Sequence, residues 1–301
     1  MNVIVTGAGG FVGKNLMQHF EKQSGIHASS LSLRQGFTKE DVVKADVIIH
    51  LAGKAHDLKK TSDDAEYFKV NTDLTKKLFD LFLESDVKDF IYFSSVKAVA
   101  DEVNGELTED VLPAPLTVYG KSKRLAEEYI LSKDLPKGKR LFIFRPCMIH
   151  GPGNKGNLNL LYKVVEKGIP YPLAAYQNQR SFLAIDNLIY VVERVILDPN
   201  IEGGIYNLSD DKSLSTNEVI KLISDVLSQK PKLWAINKKV IHSVAKVGDW
   251  LKLPLNSERL QKLTESYVVA NKKIRKALNI DALPISAKEG LTNTIRSFTG
   301  R

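Results

Sequence analysis

Through the first half of the chain, short and almost wholly apolar runs alternate with stretches in which apolar residues recur at helical spacing. The runs Asn2 to Thr6, Ala28 to Leu33, Asp46 to Leu51, Asp89 to Ser94 and Arg140 to Arg145 predict strands. Between them, Val12, Leu16, Met17 and Phe20, and then Val70, Leu74, Leu78, Leu81 and Phe82, predict amphipathic helices. Strands that alternate with helices imply an α/β fold, a doubly wound parallel sheet covered on both faces. The alternation stops around Gly151-Pro152-Gly153. Beyond it the sequence predicts loops, a short strand at Ile205 to Leu208, and helices starting near Ser215, where Ser215 and Glu218 have the spacing of a capping box. The expected division is a nucleotide-binding part over 1–150, to which about 181–197 returns, and a smaller, mainly C-terminal α/β region over 151–301. No internal repeat or low-complexity linker separates them, so the two parts are expected to pack together.

Composition narrows the classes. A chain of 301 residues with 43% hydrophobic content affords a sizeable core. The single cysteine, Cys147, excludes an intrachain disulfide framework and is compatible with a reducing compartment. The N-terminus has no signal-peptide pattern and no run approaches the roughly 18 to 20 apolar residues of a membrane span, so a cytoplasmic location is the default expectation. The formal charge of +8 comes from lysines scattered along the chain without a nucleic-acid motif. A groove for an anionic small molecule uses that charge better than a nucleic acid does. No metal-ligand set is read. The basic and apolar stretch 238–251 fits a helix that covers a domain core, and also one that lies on a membrane surface.

Thr6-Gly7-Ala8-Gly9-Gly10-Phe11-Val12-Gly13 follows a strand and opens a helix, the context in which a glycine turn binds a dinucleotide. Gly7 and Gly10 let backbone approach the pyrophosphate, the helix start at Phe11 and Val12 supplies N–H donors, and Gly13 lets the helix press on the sheet. An acid at the end of the second strand would receive the ribose 2′-hydroxyl of NAD. Here Ser32 and Arg34 stand instead, which favours NADP(H) over NAD(H).

Tyr119 and Lys123 lie one helical turn apart on one face. A lysine charge at roughly 5 Å, with an effective dielectric near 20, favours the phenolate by about 3 kcal/mol, on the order of two pKa units. That predicts Tyr119 as an acid/base group. The strand Asp89 to Ser94 ends in Ser94-Ser95 at the carboxyl edge, where open parallel sheets bind ligands, and a hydroxyl there can hold the oxygen that Tyr119 protonates.

The glycine turn, His50-Leu51-Ala52-Gly53, Asn71, Ser94-Ser95, Tyr119 with Lys123, and Arg145-Pro146 together resemble the extended short-chain dehydrogenase/reductases of the NAD-dependent epimerase/dehydratase group. The resemblance implies a Rossmann-like fold in which Leu51, Ala52 and Gly53 line the cofactor and Asn71 supports the site. It also implies catalysis by Ser95 with Tyr119 and Lys123, and places Ser94 and Pro146 among the cofactor contacts. Asn157 and Asn159 after Gly151-Pro152-Gly153, and Arg180 in Arg180-Ser181-Phe182, resemble segments that hold a nucleotide diphosphate.

Three departures refine the implied reaction. Ser95-Val96-Lys97 lacks the acidic pair of the sugar dehydratases, His150 replaces a tyrosine, and the short region after the second strand leaves no room for a small additional strand. The closest resemblance is to bacterial enzymes acting on UDP-amino sugars for surface polysaccharides. It leaves a reductase of a UDP-4-keto-6-deoxy-amino sugar and a UDP-sugar 4-epimerase, with a non-catalytic dinucleotide sensor as the alternative of another class. A homodimer through paired helices is also implied.

Overall fold

The computed structural model describes residues 1–54, 63–154, 156–251 and 256–299. Six strands form one all-parallel sheet: β1 (Asn2–Thr6), β2 (His27–Leu31), β3 (Val47–His50), β4 (Asp89–Phe93), β6 (Arg140–Pro146) and β9 (Gly204–Leu208), in the order β2-β1-β3-β4-β6-β9. The short β5 (Glu106–Leu107) lies between β4 and β6 in the chain and pairs outside this sheet.

Alternation along the strands sorts the core into two layers. Val3, Val5, Ile49, Ile91, Phe93, Phe142 and Phe144 face α1 (Phe11–Phe20) and α6 (Ile185–Leu197). Ile4, Ile48, Phe90, Tyr92 and Ile143 face α3 (Leu74–Glu84) and α4 (Val118–Leu131). Because both faces are covered, the strands read as continuous apolar runs rather than as alternation.

The second strand stops at Leu31, two residues short of the predicted end, which leaves Ser32 and Leu33 beyond the sheet edge. No strand forms between β2 and β3, only a single tight turn at Lys39–Asp41, as the shortness of that region implied. The chain therefore leaves β1 for β2 on one side and returns to β3 on the other. The carboxyl ends of β1 and β3 part at this reversal, and a crevice opens there.

The helix predicted after β3 is interrupted. It runs as α2 (Asp64–Phe68), a wide turn over Lys69–Asp73 and then α3, and the wide turn buries Asn71 and Thr72.

Past Pro146, β7 (Met148–His150) pairs with β8 (Phe182–Ala184), and a separate core joins α5 (Asn157–Glu166), α7 (Thr216–Val226) and α11 (Ala287–Arg296). Ser215 and Glu218 close the expected capping box at the start of α7, with Ser215 Oγ accepting from Glu218 N at 3.1 Å and Ser215 N donating to the Glu218 carboxylate at 2.8 Å. The remaining elements are α8 (Lys238–Leu251), α9 (Ser257–Thr264), β10 (Val268–Val269) and α10 (Lys272–Ala277). Among the described residues no helix is long and apolar enough to cross a membrane.

Candidate active site

A cleft of about 990 Å³ opens at the reversal. Its walls are Gly7 to Gly10 after β1, Ser30 to Arg34 at and beyond the end of β2, and Leu51 to Lys54 after β3. A dinucleotide fits these walls for steric reasons. Gly7 has φ +70°, and a Cβ there would sit 2.7 Å from Ala52 N, while one on Gly13 would sit 2.4 Å from Gly7 O. These two glycines allow the turn to fold against β3 and α1 to press on the turn. Gly9, by contrast, lies on the cleft wall with nothing within 4 Å of its Cβ position, so backbone alone faces the space.

Of the sequence-predicted cofactor residues, Gly7, Gly10, Ser32, Arg34, Leu51, Ala52 and Gly53 line this cleft. Phe11 and Val12 open α1 and pack onto the core, and Gly13 is buried beneath the turn. Asn71 is fully buried behind the cleft wall: it accepts from Lys54 N at 2.7 Å, donates to Lys54 O at 3.1 Å and to Ser122 Oγ at 2.9 Å. It therefore fixes the Gly53-Lys54 backbone against α4. Sequence reasoning passed over Lys54 and Glu66, which line the mouth and form an ion pair. They come from different elements, and no motif joins them.

The candidate chemistry lies where α4 meets the end of β4. Thr117 caps α4 by accepting from Gly120 N at 3.2 Å, and Asp101 holds Leu116 N at 2.7 Å and Thr117 N at 3.1 Å. Gly120 allows the closest approach, because a Cβ there would be 2.3 Å from Lys97 O. This contact brings the Tyr119 phenol beside the Ser95 hydroxyl. Ser95 is buried and its Oγ also accepts from Lys97 N at 3.2 Å. Ser94 is buried at the strand end, and its hydroxyl has no protein partner among the described residues. Pro146 is buried at the end of β6, which pairs with β4.

The expectation that Lys123 lowers the Tyr119 pKa is corrected. Burial pushes the phenol above its ordinary value, the neighbouring Ser95 hydroxyl opposes that, and Lys123 is not among the groups that shift it. The Lys123 ammonium instead donates to Phe93 O at 2.8 Å and sits 5.0 Å from the centre of the Tyr92 ring. Burial pulls Lys123 down to about 8, against the pull of Glu127. At neutral pH the site thus holds a protonated phenol beside a predominantly charged lysine, an arrangement that can donate a proton.

The substrate candidates are spread more widely. Arg180 lies near Lys97 and Glu265, and its guanidinium donates to Glu265 O at 3.4 Å and to Lys262 O. Asn157 begins α5 and lines a separate pocket of about 210 Å³ with His150 and Thr294. Asn159 is used locally, accepting from Gly156 N at 2.9 Å, and Lys155 lies outside the described residues. His150 is buried in the lining of that pocket, with Nδ1 on Thr294 Oγ1 at 2.9 Å and Nε2 3.7 Å from Asp210.

Comparison with known proteins agrees with this geometry. Residues 3–209 match the model of the NAD dependent epimerase/dehydratase family. The chain is 30% identical over 256 residues to the UDP-glucose 4-epimerase of Vibrio cholerae, covering 76% of each. It is 26% identical over 276 residues to the UDP-2-acetamido-2,6-beta-L-arabino-hexul-4-ose reductase of Pseudomonas aeruginosa, covering 88% of this chain and 66% of that one. Among solved structures, the UDP-glucuronic acid 4-epimerase of Bacillus cereus in complex with NAD superposes with a TM-score of 0.77 at 19% identity, over 100% of this chain and 99% of that one. RMD from Pseudomonas aeruginosa complexed with NADPH gives 0.74 at 19% identity, with the same coverage. The parallel sheet with its glycine turn and the meeting of Ser95 with Tyr119 are thus accompanied by a match over more than half of the chain: it belongs to the NAD-dependent epimerase/dehydratase family and is an NAD(P)-dependent enzyme of that family.

Proposed function

We propose that the protein reduces the C4 carbonyl of a UDP-4-keto-6-deoxy-amino sugar with NADPH, in the synthesis of a surface polysaccharide. The observation that carries this reading is the cleft wall after β2, where Ser32 and Arg34 stand and no carboxylate does. An acid there would repel a 2′-phosphate, whereas a serine and an arginine accept it. The acid that does line the cleft, Glu66, comes from α2 and is paired with Lys54.

Bound in the cleft, the nicotinamide supplies the hydride for C4. Tyr119 delivers its phenolic proton to O4, which suits a phenol that burial keeps protonated. Ser95 donates to the same oxygen, and its hydroxyl favours the phenolate left behind. Arg180 and Asn157 are the proposed contacts of the diphosphate, and for this the Arg180 fork has to leave the Lys262 and Glu265 carbonyls. Leu125 and Leu131 of α4 are 44% and 48% exposed, an apolar surface that a homodimer through this helix would cover.

A second reading, an NAD-dependent UDP-sugar 4-epimerase, is favoured by the 30% identity to the Vibrio cholerae enzyme. The same three side chains then serve both directions on a retained cofactor. Mass spectrometry of the cofactor released from freshly purified, denatured protein separates the two, followed by titration of the emptied site with NADPH and NADH. An empty site that prefers NADPH, with turnover of a UDP-4-keto-6-deoxy-amino sugar, supports the reductase. Tightly retained NAD with interconversion of C4 epimers replaces it with the epimerase.

A further inference from the structure

The helix α8 (Lys238–Leu251) turns only a narrow stripe inward. Ile241, Ala245 and Gly248 are buried, and Ile241 and Ala245 pack in one cluster with Leu173 and Leu260. At roughly 100° per residue, Val240, Val244, Val247 and Leu251 fall within an arc of about 60°, and that arc lies about 100° away from the buried one. The second stripe is 54%, 48%, 51% and 51% exposed along its length. Trp250 borders it on the side away from the buried stripe and is 82% exposed, and Trp234, on the segment leading into the helix, is 57% exposed. They are the chain's two tryptophans.

Beyond Trp250 around the helix come Lys239 and Lys246, both exposed. Over residues 230–251 the chain carries five lysines, at 230, 232, 238, 239 and 246, against one acid, Asp249. The Asp249 carboxylate is occupied by Ser257, accepting from its backbone N at 2.9 Å and from its hydroxyl.

We propose that this face docks on an anionic phospholipid bilayer, with the valine and leucine stripe at the acyl boundary, the tryptophan rings at headgroup level and Lys239 and Lys246 on lipid phosphates. The charge excess selects a negative surface, and the two exposed indoles select one with a polar-to-apolar gradient rather than a merely acidic one. The proposal is independent of which sugar-nucleotide reaction the site carries out.

The test uses the full chain and sonicated vesicles of phosphatidylcholine with phosphatidylglycerol, against vesicles of phosphatidylcholine alone. Because both tryptophans lie in this region, intrinsic fluorescence reports docking directly. At low salt the chain is expected to co-sediment with the anionic vesicles at least about tenfold more strongly than with neutral ones, with a blue shift of emission, and to release as salt rises. Val244→Ser combined with Val247→Ser is expected to weaken co-sedimentation on the order of tenfold, while thermal unfolding and cofactor binding stay as in the parent.

The proposal is overturned by an absence of co-sedimentation at low salt, or by binding that lacks the emission shift and ignores the double substitution. It is equally overturned if the parent is a dimer that the double substitution makes monomeric, since the face then belongs to a second copy. An emission shift with polyglutamate equal to that with anionic vesicles would assign the face to an acidic protein instead.

Discussion

Arg145 and Glu127 form a two-pronged ion pair, Nε to Oε1 at 2.9 Å and Nη2 to Oε2 at 2.6 Å, in which the side chains are 2% and 0% exposed. It ties β6 to the face of α4 that carries the candidate chemistry, because Tyr119, Lys123 and Glu127 follow one another at intervals of one helical turn. Two charges this deep have lost their hydration, and each depends on the other.

Glu127→Gln is therefore expected to lower stability to urea by about 3 to 5 kcal/mol, since it leaves a buried guanidinium unpaired. The substitution also removes the group that opposes burial at Lys123, so that lysine should titrate below about 8. The alkaline limb of the pH–rate profile then moves to lower pH, an effect that a purely structural role for Glu127 would not produce. Glu127→Met with Arg145→Met should recover most of the lost stability without restoring the limb.

Tyr119→Phe keeps the ring and removes the proton. Turnover should fall by about 10² to 10⁴, the range for loss of a positioned acid/base group, with cofactor affinity and melting temperature little changed. Full turnover in a folded, cofactor-binding variant would remove Tyr119 from the chemistry.

Two glycine substitutions should separate folding geometry from cofactor binding. A Cβ on Gly120 would meet Lys97 O at 2.3 Å, so Gly120→Ala forces α4 off the turn and parts Tyr119 from Ser95. Its expected signature is a loss in kcat larger than the loss in cofactor affinity, with about 1 to 3 kcal/mol of stability. Gly9→Ala meets no protein atom and should leave stability unchanged while weakening the cofactor, because its methyl group enters the cleft. Isothermal titration and urea unfolding on both variants give the comparison.

The legible parts were those that depend on local pattern. Strands buried on both faces are continuous apolar runs, so Val47 to His50 and Asp89 to Phe93 were plain, and the glycine turn was found because a strand precedes it and a helix follows. What remained hidden depends on where side chains go in three dimensions. Lys123 was expected to act on Tyr119 from spacing alone, yet its ammonium takes the Phe93 carbonyl. The pairing of Glu127 with Arg145 joins a helix to a strand 18 positions on, although the recurrence of Tyr119, Lys123 and Glu127 on one face was a signal available for half of it. Asn159, grouped with the nucleotide loop by its motif, also caps the start of α5, a use that its spacing alone did not show.

Arg34→Ala tests the cofactor reading without touching the fold, since Arg34 is exposed at the cleft wall. A partly solvated charge-assisted bond to a 2′-phosphate contributes about 1 to 1.5 kcal/mol, so NADPH should bind roughly tenfold more weakly while NADH is unaffected. Equal weakening of both cofactors would show that Arg34 does not read the phosphate.

His50 offers a prediction about the fold beneath the cleft. It is fully buried at the end of β3, with Nδ1 2.7 Å from Thr6 Oγ1 and Nε2 2.8 Å from Thr75 Oγ1, and its ring lies against Tyr92. Burial, reinforced by the Lys123 charge, depresses its pKa from 6.5 to about 3. The native ring is therefore neutral down to that pH, and the two hydroxyls match a neutral imidazole, one accepting and one donating. An unfolded chain takes up the proton already near 6.5, so between 6.5 and 3 the unfolded state binds more protons than the native state and stability falls as pH falls. For this one group the loss between pH 7 and pH 5 is about 2 kcal/mol. Urea unfolding at those two pH values, on the parent and on His50→Gln, isolates it. Every other titrating group is common to both proteins, so the variant's loss should be smaller by about that amount whatever its absolute stability, and equal losses would mean that His50 accepts a proton in the native state.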